Sequence, residues 1–291
     1  MTTWSVPGLP DPGRCLVMGV VNVTPDSFSD GGRWFDTDSA IRHGLELVAE
    51  GADIVDVGGE STRPGALRVS LEEELRRVVP VIRALAQEGV TVSVDTMRAE
   101  VAQAAVEAGA ALVNDVSGGL ADPAMPRVVA EAGVPYVVMH WRGHSADMDS
   151  RAIYADVVTE VCEELRKRVD SVLGLGVREE QLILDPGLGF SKRPEHNWAL
   201  LAAMDELHRL GRPLLIGASR QRFLGGLLAG PDGTPRPFAE CDDATVAVSA
   251  LAARAGAWCV RVHSVRPNVD AVRVAAVWAA TEAKHPSGSR R

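Results

Sequence analysis

Cysteine is scarce: the 291-residue chain has four, Cys15, Cys162, Cys241 and Cys259, far apart and with no C-x-x-C pair. That spacing supports neither a zinc site nor a small disulfide framework, and reduced thiols fit a cytoplasmic protein. Positive charge is also short. Thirty Lys and Arg against 39 Asp and Glu leave a net charge of −9, so nothing draws the chain to nucleic acid or to an anionic membrane surface. Any bound phosphate would need its own local donors. Long apolar runs are missing too: Leu16–Val21 is stopped by Asn22, far short of a membrane span. The first fourteen residues hold three prolines and no apolar run, which is unlike a signal peptide. No charge run or Ser/Gly-rich linker marks a domain boundary. G-x-S-x-G and H-E-x-x-H are both absent. No nucleophile–base pair stands out, which points to chemistry by positioning and electrostatics rather than through a covalent intermediate.

What is present is regular. Apolar residues make up 46% and charged residues 24%, an ordinary globular balance that excludes a disordered chain. Eight short apolar, β-branched runs read as strands: 15–22, 53–59, 90–95, 111–116, 135–140, 181–187, 213–219 and 257–263. They lack strict alternation, as suits strands covered on both faces. Segments of helical period lie between and after them, at Ser39–Glu50, Leu71–Gln87, Arg98–Ala108, Ala124–Ala132, Ile153–Leu173, His196–Leu210, Asp243–Arg254 and Val269–Ala283. Gly51, Gly89, Gly109, Gly133, Gly176, Gly211 and Gly256 stand near helix ends, where a left-handed cap is needed. Repeated helix–glycine–strand units imply an α/β fold, a single (β/α)8 TIM barrel over residues 1–291, with about 1–14 and 284–291 as flexible ends.

In such barrels the site lies at the C-terminal ends of the strands. Those ends carry Asn22, Glu60, Asp95, Asn114 with Asp115, His140, Asp185, Ser219 with Arg220, and Arg261 with His263. Each has a bland reading alone. Asp95 could cap the next helix, Asn114 and Asp115 could form an Asx-turn, and His140 could be a satisfied core histidine. Together they exceed what capping needs. Two polar, glycine-rich segments, 24–35 and 59–68, read as long loops over the mouth. Carboxylates and amides (Asp95, Asn114, Asp185) suit the N–H-rich edge of a guanidine-like heterocycle. A separate cationic part (Arg63, Arg220, Arg261, His263) suits phosphate or pyrophosphate. Trp4, Trp258 and Trp278 read as packing residues.

The segments GVVNVTPDSFSDGG (19–32), DIVDVGGESTRPGA (53–66), VSVDT (92–96), LVNDVSGG (112–119), LDPGLGF (184–190), GASR (217–220) and RVH (261–263) together resemble the dihydropteroate synthase family, in the family's order. The resemblance implies a (β/α)8 barrel, usually a homodimer. It also implies condensation of p-aminobenzoate with a dihydropterin pyrophosphate, with pyrophosphate released with Mg²⁺ assistance. Carried over by position, Asp95, Asn114 and Asp185 hold the pterin ring edge, and Asn22 is the residue associated with the Mg²⁺–pyrophosphate. Arg63, Arg261 and His263 bind pyrophosphate, and Phe28, Thr62, Pro64, Phe190 and Ser219 form the p-aminobenzoate pocket.

Two positions depart from the family pattern. Gln221 stands where the family has a lysine that donates to the pterin, and Ser264 replaces an aspartate beside His263. Gln221 is shorter and neutral but still donates hydrogen bonds. The resemblance thus leaves a second reading, a diverged paralogue that binds pterin with weak or no synthase activity. A related pterin-binding methyltransferase would have no use for the two intact loops, since methyl transfer needs no grip on pyrophosphate.

Overall fold

Every strand of the sheet runs parallel to its neighbours, and side-chain parity along each strand separates two cores. The computed structural model describes residues 4–24, 37–60, 68–143 and 150–284. Its strands are β1 (Leu16–Asn22), β2 (Ile54–Gly58), β3 (Val92–Asp95), β4 (Leu112–Asp115), β5 (Tyr136–Met139), β6 (Leu182–Asp185), β7 (Leu215–Ile216) and β8 (Cys259–Val262). They pair in the order β6-β5-β4-β3-β2-β1-β8-β7. A parallel bridge between Leu184 and Leu214 joins the two ends and closes the barrel.

Successive side chains on a strand point to opposite faces. One parity, including Val17, Val55, Val57, Val94, Val113, Val138, Leu184 and Val260, packs with the buried faces of the surrounding helices. The other parity turns inward: Leu16, Met18, Ile54, Leu112, Val137, Ile183, Leu215 and Cys259 form a separate cluster that fills the barrel. One step further along the inward parity Val20 and Met139 keep β1 and β5 apolar, while on five strands the apolar residues give way. Asp56, Asp95, Asn114, Asp185 and Arg261 take their place, as register pairs such as Met18 with Arg261 and Asp95 with Asn114 require. The apolar plug therefore sits under a polar layer at the C-terminal mouth.

The helices are α1 (Thr37–Ala49), α2 (Leu71–Gln87), α3 (Ala99–Glu107), α4 (Met125–Ala132), α5 (Val157–Gly174), α6 (Pro194–Ala202), α7 (Met204–His208), α8 (Arg222–Leu227), α9 (Asp242–Arg254) and α10 (Val265–Lys284). α2 keeps the bounds expected from its periodicity, and Ser70 caps it by accepting a hydrogen bond from the Glu73 N–H at 3.2 Å. Other ends differ. The single helix expected over His196–Leu210 is two, parted at Ala203 (φ −106°, ψ 32°). Its start moves back to Pro194, an N1 position where the missing N–H breaks no bond. α10 begins at Val265 rather than Val269, because Pro267 lies in the first turn and its N–H is not needed there. α5 begins at Val157, where Asp156 accepts from the Thr159 N–H at 3.0 Å, not at Ile153.

Residues 4–14, assigned from the sequence to a flexible end, carry packing contacts. Val6 is buried among Leu16, Met18 and Trp258 beneath the barrel, with Trp4 and Leu9 against it. Arg14 grips Asp53 at 2.8 and 3.0 Å. Trp258 packs as expected, but Trp278 is an exposed residue of α10 whose indole donates to Glu282. Among the described residues no helix is long and apolar enough to cross a membrane.

The seven helix-ending glycines all have positive φ, from 69° to 113°. Gly109 is the tightest, since a Cβ there would lie 2.6 Å from the Cβ of Ala86, which cannot rotate away. Gly109→Ala combines that clash with a left-handed backbone and is expected to cost about 1–3 kcal/mol. A urea denaturation midpoint measures it, and an unchanged midpoint would contradict this account of the α3–β4 turn.

Candidate active site

The site is built around a half-buried guanidinium. Arg261, on the inward parity of β8, donates from Nε to Asp56 Oδ2 at 2.6 Å and from Nη2 to Asp95 Oδ2 at 2.8 Å. Asn114 donates from Nδ2 to the same Asp56 oxygen at 3.0 Å. Asp56 Oδ1 is a buried acceptor with no partner among the described residues. Four strands thus contribute to one hydrogen-bonded layer. Asp56 escapes sequence-level reasoning because it sits inside an apolar run and not at a strand end. Its signal is parity: it lies two residues before Gly58, which is the register partner of Asp95.

This layer corrects the division drawn from the sequence, in which the cationic groups formed a part of their own. Arg261 lies among the carboxylates because β8 points it into the barrel, not toward the rim. Arg220 is also removed from the cationic part. With φ 57° it turns away and holds Asp242, the first residue of α9, through two bonds of 3.1 Å. Glu60 is gripped by Arg68 at 3.1 Å and by Arg98 at 2.8 Å.

Asn114 and Asp115 divide as parity demands. Asn114 faces inward. Asp115 faces out and accepts from the Ser117 N–H and Oγ, the Gly119 N–H and the Tyr136 hydroxyl, all within 2.8 Å. That is the Asx-turn the sequence allowed. Asp95 caps no helix, since α3 starts only at Ala99.

Asp185 ends β6, and its Oδ1 accepts from the Gly187 N–H at 2.7 Å. The following turn keeps Phe190 at the mouth, half-buried. Gln221 is half-buried at the start of α8, and its amide rests against Gly189, where a Cβ would collide with it. Ser219 Oγ accepts from the His263 backbone N–H at 3.2 Å and lies 3.0 Å from His263 Nδ1. Asn22 ends β1, half-buried and paired with Gly58. Phe28, Thr62, Arg63 and Pro64 lie outside the described residues.

Beneath Asp185 lies a second residue that the sequence did not reveal. Lys192 is buried, with Nζ 2.9 Å from His140 Nδ1 and donating to the Phe190 carbonyl at 3.1 Å. His140 Nε2 meets Glu164 at 2.9 Å, so it is the satisfied core histidine that one reading allowed.

Burial dominates the electrostatics. It pushes Asp95 up to about 7 against the pull of Arg261, with Asp56 and Glu74 adding to the rise. It pushes Asp185 up to about 6, opposed by the Gly187 N–H, Lys192 and Arg261. An elevated carboxyl binds its proton more tightly in the folded chain than in the unfolded one. Its contribution to stability is therefore full below about pH 4 and is lost as pH rises through the folded value. Asp185→Asn keeps the acceptor for Gly187 and removes that loss. The variant is expected to match the parent near pH 4 and to exceed it by roughly 2–3 kcal/mol at pH 7. Urea denaturation of both chains from pH 4 to 8 measures this, and a pH-independent difference would contradict it.

A family model described as "Pterin binding enzyme" matches residues 18–263. The dihydropteroate synthase of Mycobacterium leprae is 59% identical over 263 residues, covering 90% of this chain and 93% of the relative. That of Escherichia coli is 43% identical over 260 residues, covering 89% of each. Among solved structures, Yersinia pestis dihydropteroate synthase in a sulfonamide drug complex superimposes with a TM-score of 0.87 at 39% identity, covering 95% of this chain and 99% of that one. Xanthomonas albilineans dihydropteroate synthase with 4-aminobenzoic acid gives 0.83 at 46%, covering 93% and 94%. With a closed parallel barrel, an inward carboxylate–amide–arginine layer at its mouth and these relatives along nearly its whole length, the chain belongs to the dihydropteroate synthase family of pterin-binding enzymes.

Proposed function

We infer that this chain is a transferase that joins p-aminobenzoate to 6-hydroxymethyl-7,8-dihydropterin pyrophosphate, giving 7,8-dihydropteroate and pyrophosphate. The observation that carries the reading is the inward layer of Asp95, Asn114 and Asp185 around Arg261. Buried carboxylates and an amide oxygen are acceptors, and the pterin edge offers N–H donors in a plane. Desolvated acceptors of this kind discriminate strongly, because a ligand lacking those donors leaves them unpaired.

The reaction breaks the bond between the pterin methylene carbon and the pyrophosphate oxygen and forms one to the arylamine nitrogen, which gives up a proton. Positive charge develops on the methylene and the pterin as the bond breaks. Fixed carboxylates at the ring edge stabilise it without reorganising. Asp56 works through Arg261 and Asn114, holding both in place. His263 and Ser219 touch, so the pyrophosphate-binding position and the p-aminobenzoate position form a continuous surface. Holding the amine beside the carbon then converts an encounter into a unimolecular step.

Mg²⁺ belongs to the same reading. Among the described residues no group of three or more His, Cys, Asp or Glu could cage a metal. Mg²⁺ is commonly held by one or two protein oxygens together with substrate phosphates, and the Asn22 amide oxygen fits that chemistry. When bound, the ion would neutralise charge on the leaving pyrophosphate. A homodimer is supported by the apolar side chains exposed on α9 and α10: Leu251, Val274, Val277 and Trp278. Four buried free thiols support a cytoplasmic setting.

The test is pyrophosphate release from the dihydropterin pyrophosphate with Mg²⁺, with and without p-aminobenzoate. Release dependent on p-aminobenzoate is expected. Gln221→Lys is expected to raise kcat/KM about ten- to a hundredfold, the worth of a charge-assisted hydrogen bond at the pterin. Silence from both chains would sink the assignment.

A further inference from the structure

Lysine is rare in this chain: Lys167, Lys192 and Lys284 are the only three among 30 basic residues. Of these, Lys192 is buried in the barrel wall behind the pterin position. A long, flexible ammonium is costly to bury, and arginine is the usual choice for buried ion pairing. Its surroundings account for the placement. Nζ reaches His140 Nδ1 on the β5 side at 2.9 Å and the Phe190 carbonyl at 3.1 Å. A Cβ on Gly187 would lie 3.4 Å from Nζ. The ammonium thus sits inside the curve of the turn 185–190, whose first residue is Asp185 and whose last is Phe190. Tyr154 adds a further tie to this segment, donating to the Ser191 carbonyl at 3.0 Å.

We propose that Lys192 is a positioning residue for the pterin subsite: it holds the turn after β6 against β5 and α5 through Phe190 and His140, and its charge offsets the Asp185 carboxylate. The proposal rests on the pterin reading above. His140 transmits the restraint: Lys192 donates to Nδ1, so Nε2 carries the proton and donates to Glu164 of α5. Glu164 is in turn held by Arg142, whose guanidinium lies 3.9 Å from the centre of the Tyr154 ring. The chain of contacts runs from the subsite to the outer groove lined by Trp141, Arg142 and Glu164.

The groups facing each member set the sign of the test. Asp185 is faced by Lys192, Arg261 and the Gly187 N–H, all favouring its ionised form against burial. Lys192 is itself lowered to about 7 by burial and by Arg142, while Asp185 and Glu164 oppose this. His140 is lowered to about 4 by burial and by Lys192, so it is neutral where Asp185 titrates. Asp95 is faced by Arg261, Asp56, Glu74 and Asp115, and its titration is common to every variant at position 192. The pterin edge needs Asp185 as a carboxylate, so binding falls away on the acid side as Asp185 takes up a proton. Loss of the ammonium makes that proton harder to remove and moves the acid limb to higher pH.

The experiment is a fluorescence titration of 6-hydroxymethylpterin against the full chain from pH 5 to 8, comparing the parent with Lys192→Met, Lys192→Gln and Lys192→Arg. Lys192→Gln retains hydrogen-bonding capacity without charge and serves if the Met variant fails to fold. Met and Gln variants are expected to move the acid midpoint up by about half a pH unit or more, with Lys192→Arg staying near the parent. Weaker binding at every pH with the midpoint unmoved would assign Lys192 a purely structural role and overturn the proposal. If the parent itself takes up no pterin, the pterin reading falls and this inference falls with it.

Discussion

Arg261 is the residue on which the mouth of this barrel depends. Three carboxylates, Asp56, Asp95 and Asp185, point into a space from which water is largely excluded, in a chain that already carries nine excess negative charges. Burial pushes Asp95 and Asp185 toward their protonated forms, and a cationic partner opposes that push. One guanidinium bonded to two of them and facing the third makes the cluster tolerable. The pair also ties β8 to β2 and β3 across the barrel, so the same contacts that preserve the site's charge hold its strands in place. Breaking one partner of such a pair is costly, although the pair itself adds little net stability.

The polar layer has a cost the protein retains. Carboxylates raised toward neutral pH by burial oppose folding where they are ionised, and a barrel selected for stability alone would carry apolar side chains at these positions. Their persistence directly above a plug of Leu16, Met18, Ile54 and Leu112 marks where packing gives way to chemistry. A single residue separates the two roles at β4. Asp115 spends its hydrogen-bonding capacity on its own turn and on Tyr136 of β5, while Asn114 faces the mouth.

Much of this was legible without coordinates. Short buried strands, intervening helical periods and a glycine after nearly every helix encode the barrel locally, because period and backbone conformation are properties of neighbouring residues. Asp95, Asn114 and Asp185 stood out as polar ends of apolar runs. Helix boundaries were less legible: the proline in the first turn of α10 reads as a stop, and the break at Ala203 leaves no mark in the composition. Asp56 was hidden within its strand run, and Lys192 follows a turn with nothing nearby to announce a partner.

By itself the sequence determined the fold class, the family and the set of polar residues delivered to the C-terminal ends of the strands. All of these follow from local pattern. Only the tertiary structure decided which of those residues meet. Arg261 and Asp56 are 205 positions apart, and Lys192 and His140 are 52 apart. Their contacts depend on barrel closure and strand register, which bring distant inward positions to one level. That is why Arg261 lies among the carboxylates, Arg220 faces a helix end, and a lysine occupies the wall behind Asp185.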